Sequence, residues 1–118
     1  MSYCRWSSND FQCDLYVYHG CNGVFYINIA GYRTVYKSPL PERIAYSPEN
    51  EKQFLERTKT MERLWEEADR VEIGLPFDGE TFHEPDAESC ANRVKQLISI
   101  GYRVPQGVVE ALLEDAVL

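Results

Sequence analysis

The sequence predicts an α+β fold: an N-terminal antiparallel meander of three or four strands, packed against one long amphipathic helix and a C-terminal αα-hairpin. Three observations carry this. Apolar and polar residues alternate through the first 37 positions, as half-buried strands require. From residue 48 onward the apolar residues recur at helical spacing instead. Strands and helices are therefore segregated along the chain, the pattern of α+β rather than α/β architecture.

Each element follows from its residues. Tyr3 to Trp6 reads as a first strand, closed by Ser7-Ser8-Asn9-Asp10. Asp14 to His19 alternates and is rich in β-formers. Gly20-Cys21-Asn22-Gly23 then supplies a turn, whose Asn-Gly pair is a strong hairpin signal. Val24 to Ala30 returns with Phe25, Ile27 and Ile29 on one face and Tyr26 and Asn28 on the other. After Gly31, Tyr32 to Lys37 is expected to extend the meander. Ser38-Pro39-Leu40-Pro41 stops pairing, because proline donates no ladder hydrogen bond.

A connector over 38–47 leads to Ser47-Pro48-Glu49, an N-cap, a first-turn proline and an acid suited to the positive helix end. The long helix is placed at about 48–72. Its stripe of Phe54, Thr58, Met61, Trp65 and Ala68 is expected to bury Met61 and Trp65 against the sheet. Gly74 to Pro85 reads as a loop, with Phe77 and Phe82 pinning it to the core. Asp86 caps a helix with stripe Cys90, Val94, Leu97 and Ile98, ending at Gly101. Pro105 starts the last helix, to 117, with Val108, Val109, Leu112, Leu113 and Ala116 inward. At 118 residues the chain is read as a single domain, 1–118.

Composition excludes several function classes. The net charge is −7, which argues against general binding to nucleic acid phosphates or anionic membranes. Residues 1–46 carry four bases and three acids, whereas 47–118 carry eight and sixteen, so the acidity is C-terminal. No apolar run approaches the ~18 residues of a membrane span, and the opening residues lack the apolar stretch of a signal peptide. Cys4, Cys13, Cys21 and Cys90 are read as reduced thiols, with host cytoplasm as the expected location.

Candidate chemistry is sparse. Cys4, Cys13, His19 and Cys21 include zinc-ligand types, but they lack the close Cys-x₂₋₄-Cys spacing that seeds a structural site. Cys13 or Cys21 with His19 and Asp14 has the residue types of a nucleophilic set, yet strand alternation sets Asp14 and His19 on opposite faces. No Gly-x-Ser-x-Gly, His-Glu-x-x-His, Cys-x-x-Cys or Walker loop occurs. The carboxylates around His83, from Asp78 to Glu88, lack the regular ligand spacing of a calcium loop. The last helix carries Glu110, Glu114 and Asp115 and no base, unlike a DNA-recognition helix. No catalytic residue, metal or cofactor is assigned.

What remains is tyrosine. Six of the eight lie within residues 1–36, with Trp6 and Phe11. Tyr16 and Tyr18 share a strand face and Tyr26 is placed across from them, with Asn28, Arg33 and Lys37 as a polar rim. High β-propensity accounts for such residues; a binding surface does too, since tyrosine gives large contact area at low entropy cost. The assigned candidate site is Tyr16, Tyr18, Tyr26, Asn28 and Arg33.

Met1-Ser-Tyr-Cys-Arg-Trp-Ser-Ser and Asp14-Leu-Tyr-Val-Tyr resemble the opening of a group of small, uncharacterised proteins of tailed bacteriophages and prophages. Ile73-Gly-Leu-Pro-Phe-Asp-Gly-Glu-Thr-Phe and Gly101-Tyr-Arg-Val-Pro-Gln resemble later landmarks of the same group, in the same order. The resemblance implies a phage or prophage origin and action in a bacterial host; it carries no activity and transfers no site residue. The resulting expectation is a non-enzymatic accessory protein that binds a host protein or complex, such as a host-defence component. A second copy of the chain is another candidate partner for the tyrosine face. The alternatives are a nucleotide-like ligand stacked on the tyrosines beside Arg33, or a zinc-stabilised interaction module.

Overall fold

In the computed structural model, which describes residues 1–117, the Asn22-Gly23 turn closes the hairpin that the sequence predicts. Gly23 takes φ +82, the left-handed backbone that glycine adopts without penalty. Asn22 Oδ1 accepts from Val24 N at 3.2 Å. The hairpin strands are β2 (Leu15–His19) and β3 (Phe25–Ile29), after β1 (Ser2–Cys4) and a single turn α1 (Ser8–Phe11). Next come β4 (Tyr32–Val35), α2 (Glu51–Glu67) behind a 3₁₀ turn at Pro48–Asn50, β5 (Asp69–Glu72) and β6 (Thr81–Glu84). Helices α3 (Ala87–Ile100) and α4 (Val108–Ala116) complete the order. The chain is α+β, with a four-stranded antiparallel sheet and a C-terminal helix pair.

The sheet order is β1-β2-β3-β6, and a separate two-stranded sheet pairs β4 with β5. Two expectations are corrected here. The segment 74–85 is not all loop, because its Thr81–Glu84 is the fourth strand of the main sheet. Tyr32 to Lys37 does not extend that sheet. The reason is side-chain pattern: Phe82 lies opposite Ile27 in register and joins the core. β4 has no comparable buried apolar side chain, since Tyr32 and Val35 are exposed and its less exposed residues are Arg33 and Thr34.

The chain divides into two compact units, Met1–Arg33 with the segment from Glu72 onward, and Thr34–Val71. In the first, Leu15, Val17, Ile27, Val94, Leu97 and Leu112 are fully buried in one core shared by the sheet, α3 and α4. Burying each such side chain is worth roughly 1.5–3 kcal/mol relative to exposure. Helix α3 starts at Asp86, whose carboxylate accepts from Ser89 N at 2.7 Å, as the sequence predicts. Its inward stripe includes Ala87 and Ala91, while Ile98 is exposed, so the small residues permit the close approach and Ile98 does not take part. Helix α4 starts at Val108, after Gly107 at φ +93, rather than at Pro105.

In the second unit, α2 is a real helix but ends at Glu67, and its buried face is not the one expected. Leu64 is its buried residue, Met61 is half-buried, and Trp65 is 37% exposed with the Arg70 guanidinium 4.7 Å over its ring. The least exposed positions are Phe54, Arg57, Thr60, Met61, Leu64 and Ala68. The connector accounts for this choice. Arg57 donates to the carbonyls of Glu42 and Pro41 at 2.8 and 3.4 Å, and Tyr46 packs edge-on against Phe54. Ser47 and Asn50 form a capping box at the start. Arg70 also donates to Thr34 Oγ1.

Turn α1 is unusual. Asn9, Asp10 and Phe11 have φ of 54, 57 and 63, three consecutive non-glycine residues in the left-handed region. Such backbone costs roughly 1–2 kcal/mol per residue, least for Asn and Asp. Hydrogen bonds hold it: Arg5 N to Ser8 Oγ at 2.9 Å, Ser8 N to Arg5 O at 2.9 Å, and Gln12 N to Ser8 O at 3.2 Å.

Candidate functional site: an aromatic row across the sheet

Strand alternation gives the main sheet two unlike faces. The inward face carries Leu15, Val17, Phe25, Ile27 and Ile29 and is buried by α3 and α4. The opposite face carries Tyr16, Tyr18, Tyr26 and Asn28, all half-buried, with Thr81 and His83 exposed. Register sets the neighbours: Tyr16 lies opposite Asn28, Tyr18 opposite Tyr26, Tyr26 opposite His83 and Asn28 opposite Thr81.

The rings form one continuous row. Trp6 meets Tyr16 edge-on at 5.7 Å between centroids, and Tyr16 meets Tyr18 edge-on at 5.1 Å. Tyr18 stacks on Tyr26 at 5.0 Å with 14° between planes, and His83 closes the row against Tyr26 at 4.8 Å. These are the offset and T-shaped geometries that aromatic quadrupoles favour. Arg5 lies 5.7 Å from the Tyr16 centroid at one end. Asn28 Oδ1 accepts from Thr81 Oγ1 at 2.7 Å, and Tyr26 OH accepts from Asn22 at 2.8 Å. The face thus combines apolar ring surface with hydroxyl, amide and imidazole groups.

Tyr16, Tyr18, Tyr26 and Asn28 come together as the alternation predicts; Arg33 does not join them. Its guanidinium grips the buried Asp14 at 2.6 and 3.2 Å and donates to Gly101 O at 3.3 Å. The reason is that β4 leaves the main sheet, so the expected rim residue becomes an internal tie. Lys37 likewise lies in the second unit, 3.9 Å from Asp69. Sequence reasoning missed Trp6 and His83 as members of the row. The His83 signal was present in the alternation Thr81-Phe82-His83-Glu84, masked by the turn residues before it. Nothing in the sequence sets Trp6 beside Tyr16, because α1 turns the chain back by an uncommon backbone path.

The other candidate constellations disperse. Cys4 and Cys13 lie in the core, whereas Cys21 is exposed in the turn and His19 stacks on Phe25 at 4.2 Å. Among the described residues, no three His, Cys, Asp or Glu side chains come together as a metal site. Asp14 pairs with Arg33 and accepts from Arg103 N, each at 2.6 Å. Asp78 accepts from Gly74 N at 2.7 Å and from Tyr102 OH at 2.8 Å, and Glu84 pairs with Arg93 at 2.9 Å. The carboxylates near His83 are thus tied into turns, a cap and an ion pair. Among the described residues, no helix is long and apolar enough to cross a membrane. No protein-family model, curated protein or solved structure matches the chain.

Proposed function

We propose that this is a non-enzymatic interaction module that docks a host protein on the aromatic face of its main sheet. The observation that carries the reading is the unbroken ring row Tyr16, Tyr18, Tyr26 and His83 across β2, β3 and β6, extended by Trp6 from the segment after β1. Contiguous aromatic surface of this kind marks interaction sites, and Tyr and Trp dominate protein interfaces. The net charge of −7 favours a protein over a polyphosphate as the occupant. In this reading the phage-like landmarks put the partner among bacterial macromolecules, with host-defence components first in line.

The test is affinity capture from bacterial lysate with the wild type and with the Tyr16→Ser/Tyr26→Ser double variant. The captured protein is then identified and rebound as a purified component. The proposal expects a partner that binds the wild type and is lost from a folded double variant. Equal binding by both forms sinks it. So does a thermal-shift panel in which free nucleotides, rather than proteins, stabilise the wild type and not the variant.

A further inference from the structure

Residues 5–12 form a loop whose two ends are buried cysteines. Cys4 closes β1 and Cys13 lies just before β2, at 4% and 5% exposure. Both sulfurs converge on the same carbonyl, Leu15 O, at 3.6 and 3.1 Å. The loop between them contains the three left-handed residues Asn9, Asp10 and Phe11. Trp6 and Phe11, both on this loop, are 46% and 37% exposed.

We infer that Cys4 and Cys13 are a dithiol modification site, which takes oxidising equivalents from a low-molecular-weight disulfide and closes into a disulfide across the base of this loop. The Cys13 thiolate attacks one sulfur of the small disulfide, forming a mixed disulfide and expelling one small thiolate. The Cys4 thiol then loses its proton and attacks Cys13 Sγ, forming the Cys4–Cys13 bond and expelling the second small thiolate. Two protein thiols are oxidised, one small disulfide is reduced to two thiols, and the two protein protons end on them.

The order of attack follows from the surroundings. The neighbouring Cys4 thiol holds the Cys13 thiol below its ordinary value against the burial that raises it; Arg103 adds to the lowering and Asp14 opposes it. The proximity of Cys13 and burial hold Cys4 above its ordinary value, and Cys90 nearby acts in that direction too. Cys13 is therefore the attacking sulfur and Cys4 the resolving one. Loop opening admits the reagent and relieves the left-handed backbone of Asn9, Asp10 and Phe11. Closing the bond fixes the loop that sets Trp6 against Tyr16, but the chemistry stands whatever the aromatic row binds.

The experiment uses the full chain with the exposed Cys21 replaced, Cys21→Ser, and oxidised glutathione as the probe. Trypsin cuts after Arg5 and Arg33, so the expected product is peptide 1–5 joined to peptide 6–33, separated by reductant. Of the three remaining thiols, Cys90 alone should survive. Adding Cys4→Ser should halt the reaction at a glutathionyl adduct on Cys13, and Cys13→Ser should leave Cys4 unmodified. If the folded Cys21→Ser protein keeps all three thiols while wild-type Cys21 is glutathionylated in parallel, the inference is overturned. Consumption of Cys90, or a glutathionyl adduct on Cys4, overturns it equally. The parent Cys21→Ser result decides even if a serine variant fails to fold.

Discussion

Arg33 reaches from β4 to Asp14 ahead of β2 and closes a two-point ion pair, 2.6 and 3.2 Å, around a carboxylate only 1% exposed. The same carboxylate accepts from Arg103 N at 2.6 Å, while Asp14 N donates to Arg103 O and Asp14 O accepts from Ala30 N, both at 2.9 Å. One aspartate thereby ties together the start of β2, the end of β3, the β4 strand and the link between α3 and α4.

Asp14→Ala should accordingly cost about 3–5 kcal/mol, because it strands partly buried guanidinium groups without their counter-charge. Urea unfolding of the purified variant measures this. A loss below about 1 kcal/mol would show that the carboxylate is only a surface tie.

The Tyr16→Ser/Tyr26→Ser variant should stay folded while losing its partner. Each cross-strand aromatic pair contributes roughly 0.2–1 kcal/mol, and these rings are half-buried rather than core. Circular dichroism and thermal melting should show native structure with a melting temperature a few degrees lower. An unfolded variant would place the tyrosines in the core and remove the binding reading of the face.

Leu64→Ala should destabilise the protein by about 2–5 kcal/mol, as a buried leucine truncation does. Trp65→Ala should cost less than the ~3 kcal/mol at the low end for a core tryptophan, since its ring is 37% exposed and covered by Arg70. Paired urea melts compare them. The reverse order would restore the Trp65 stripe as the buried face of α2.

Alkaline pH should destabilise the protein through two buried groups, Tyr102 and Cys90. Burial pushes the Tyr102 hydroxyl from 10.0 up to about 12, helped by its hydrogen bond to Asp78. Burial likewise pushes the Cys90 thiol from 9.0 up to about 12. Both groups hold their protons more tightly in the folded chain, so their contribution is complete below about pH 9. It is lost as pH rises through the window up to about 12, where the unfolded chain ionises first. Unfolding free energy should fall across that window, and fall less steeply in a Cys90→Ala/Tyr102→Phe variant. Parallel slopes for the two proteins would refute the assignment.

Period and local chemistry made much of this molecule legible in advance. Alternation at 15–19 and 25–29 with Asn-Gly between them dictates the hairpin and puts Tyr16, Tyr18, Tyr26 and Asn28 on one face, because side chains in a strand have a period of two. Asp86 dictates the start of α3, because a carboxylate at that position satisfies an orphan backbone N–H. Partner choice was decided elsewhere. Whether Tyr32–Val35 or Thr81–Glu84 pairs with β3 depends on which strand can offer an apolar side chain opposite Ile27, and Phe82 does. Whether α2 buries Leu64 or Trp65 depends on where the connector lays Tyr46 and the carbonyls that Arg57 binds. Arg33 shows the limit most plainly: its charge is visible in the chain, but its counter-charge, nineteen positions away, is chosen only when the strand that carries it leaves the main sheet. Local sequence sets periodicities and caps through contacts a few residues apart, whereas long-range pairing is settled by which buried surfaces fit together.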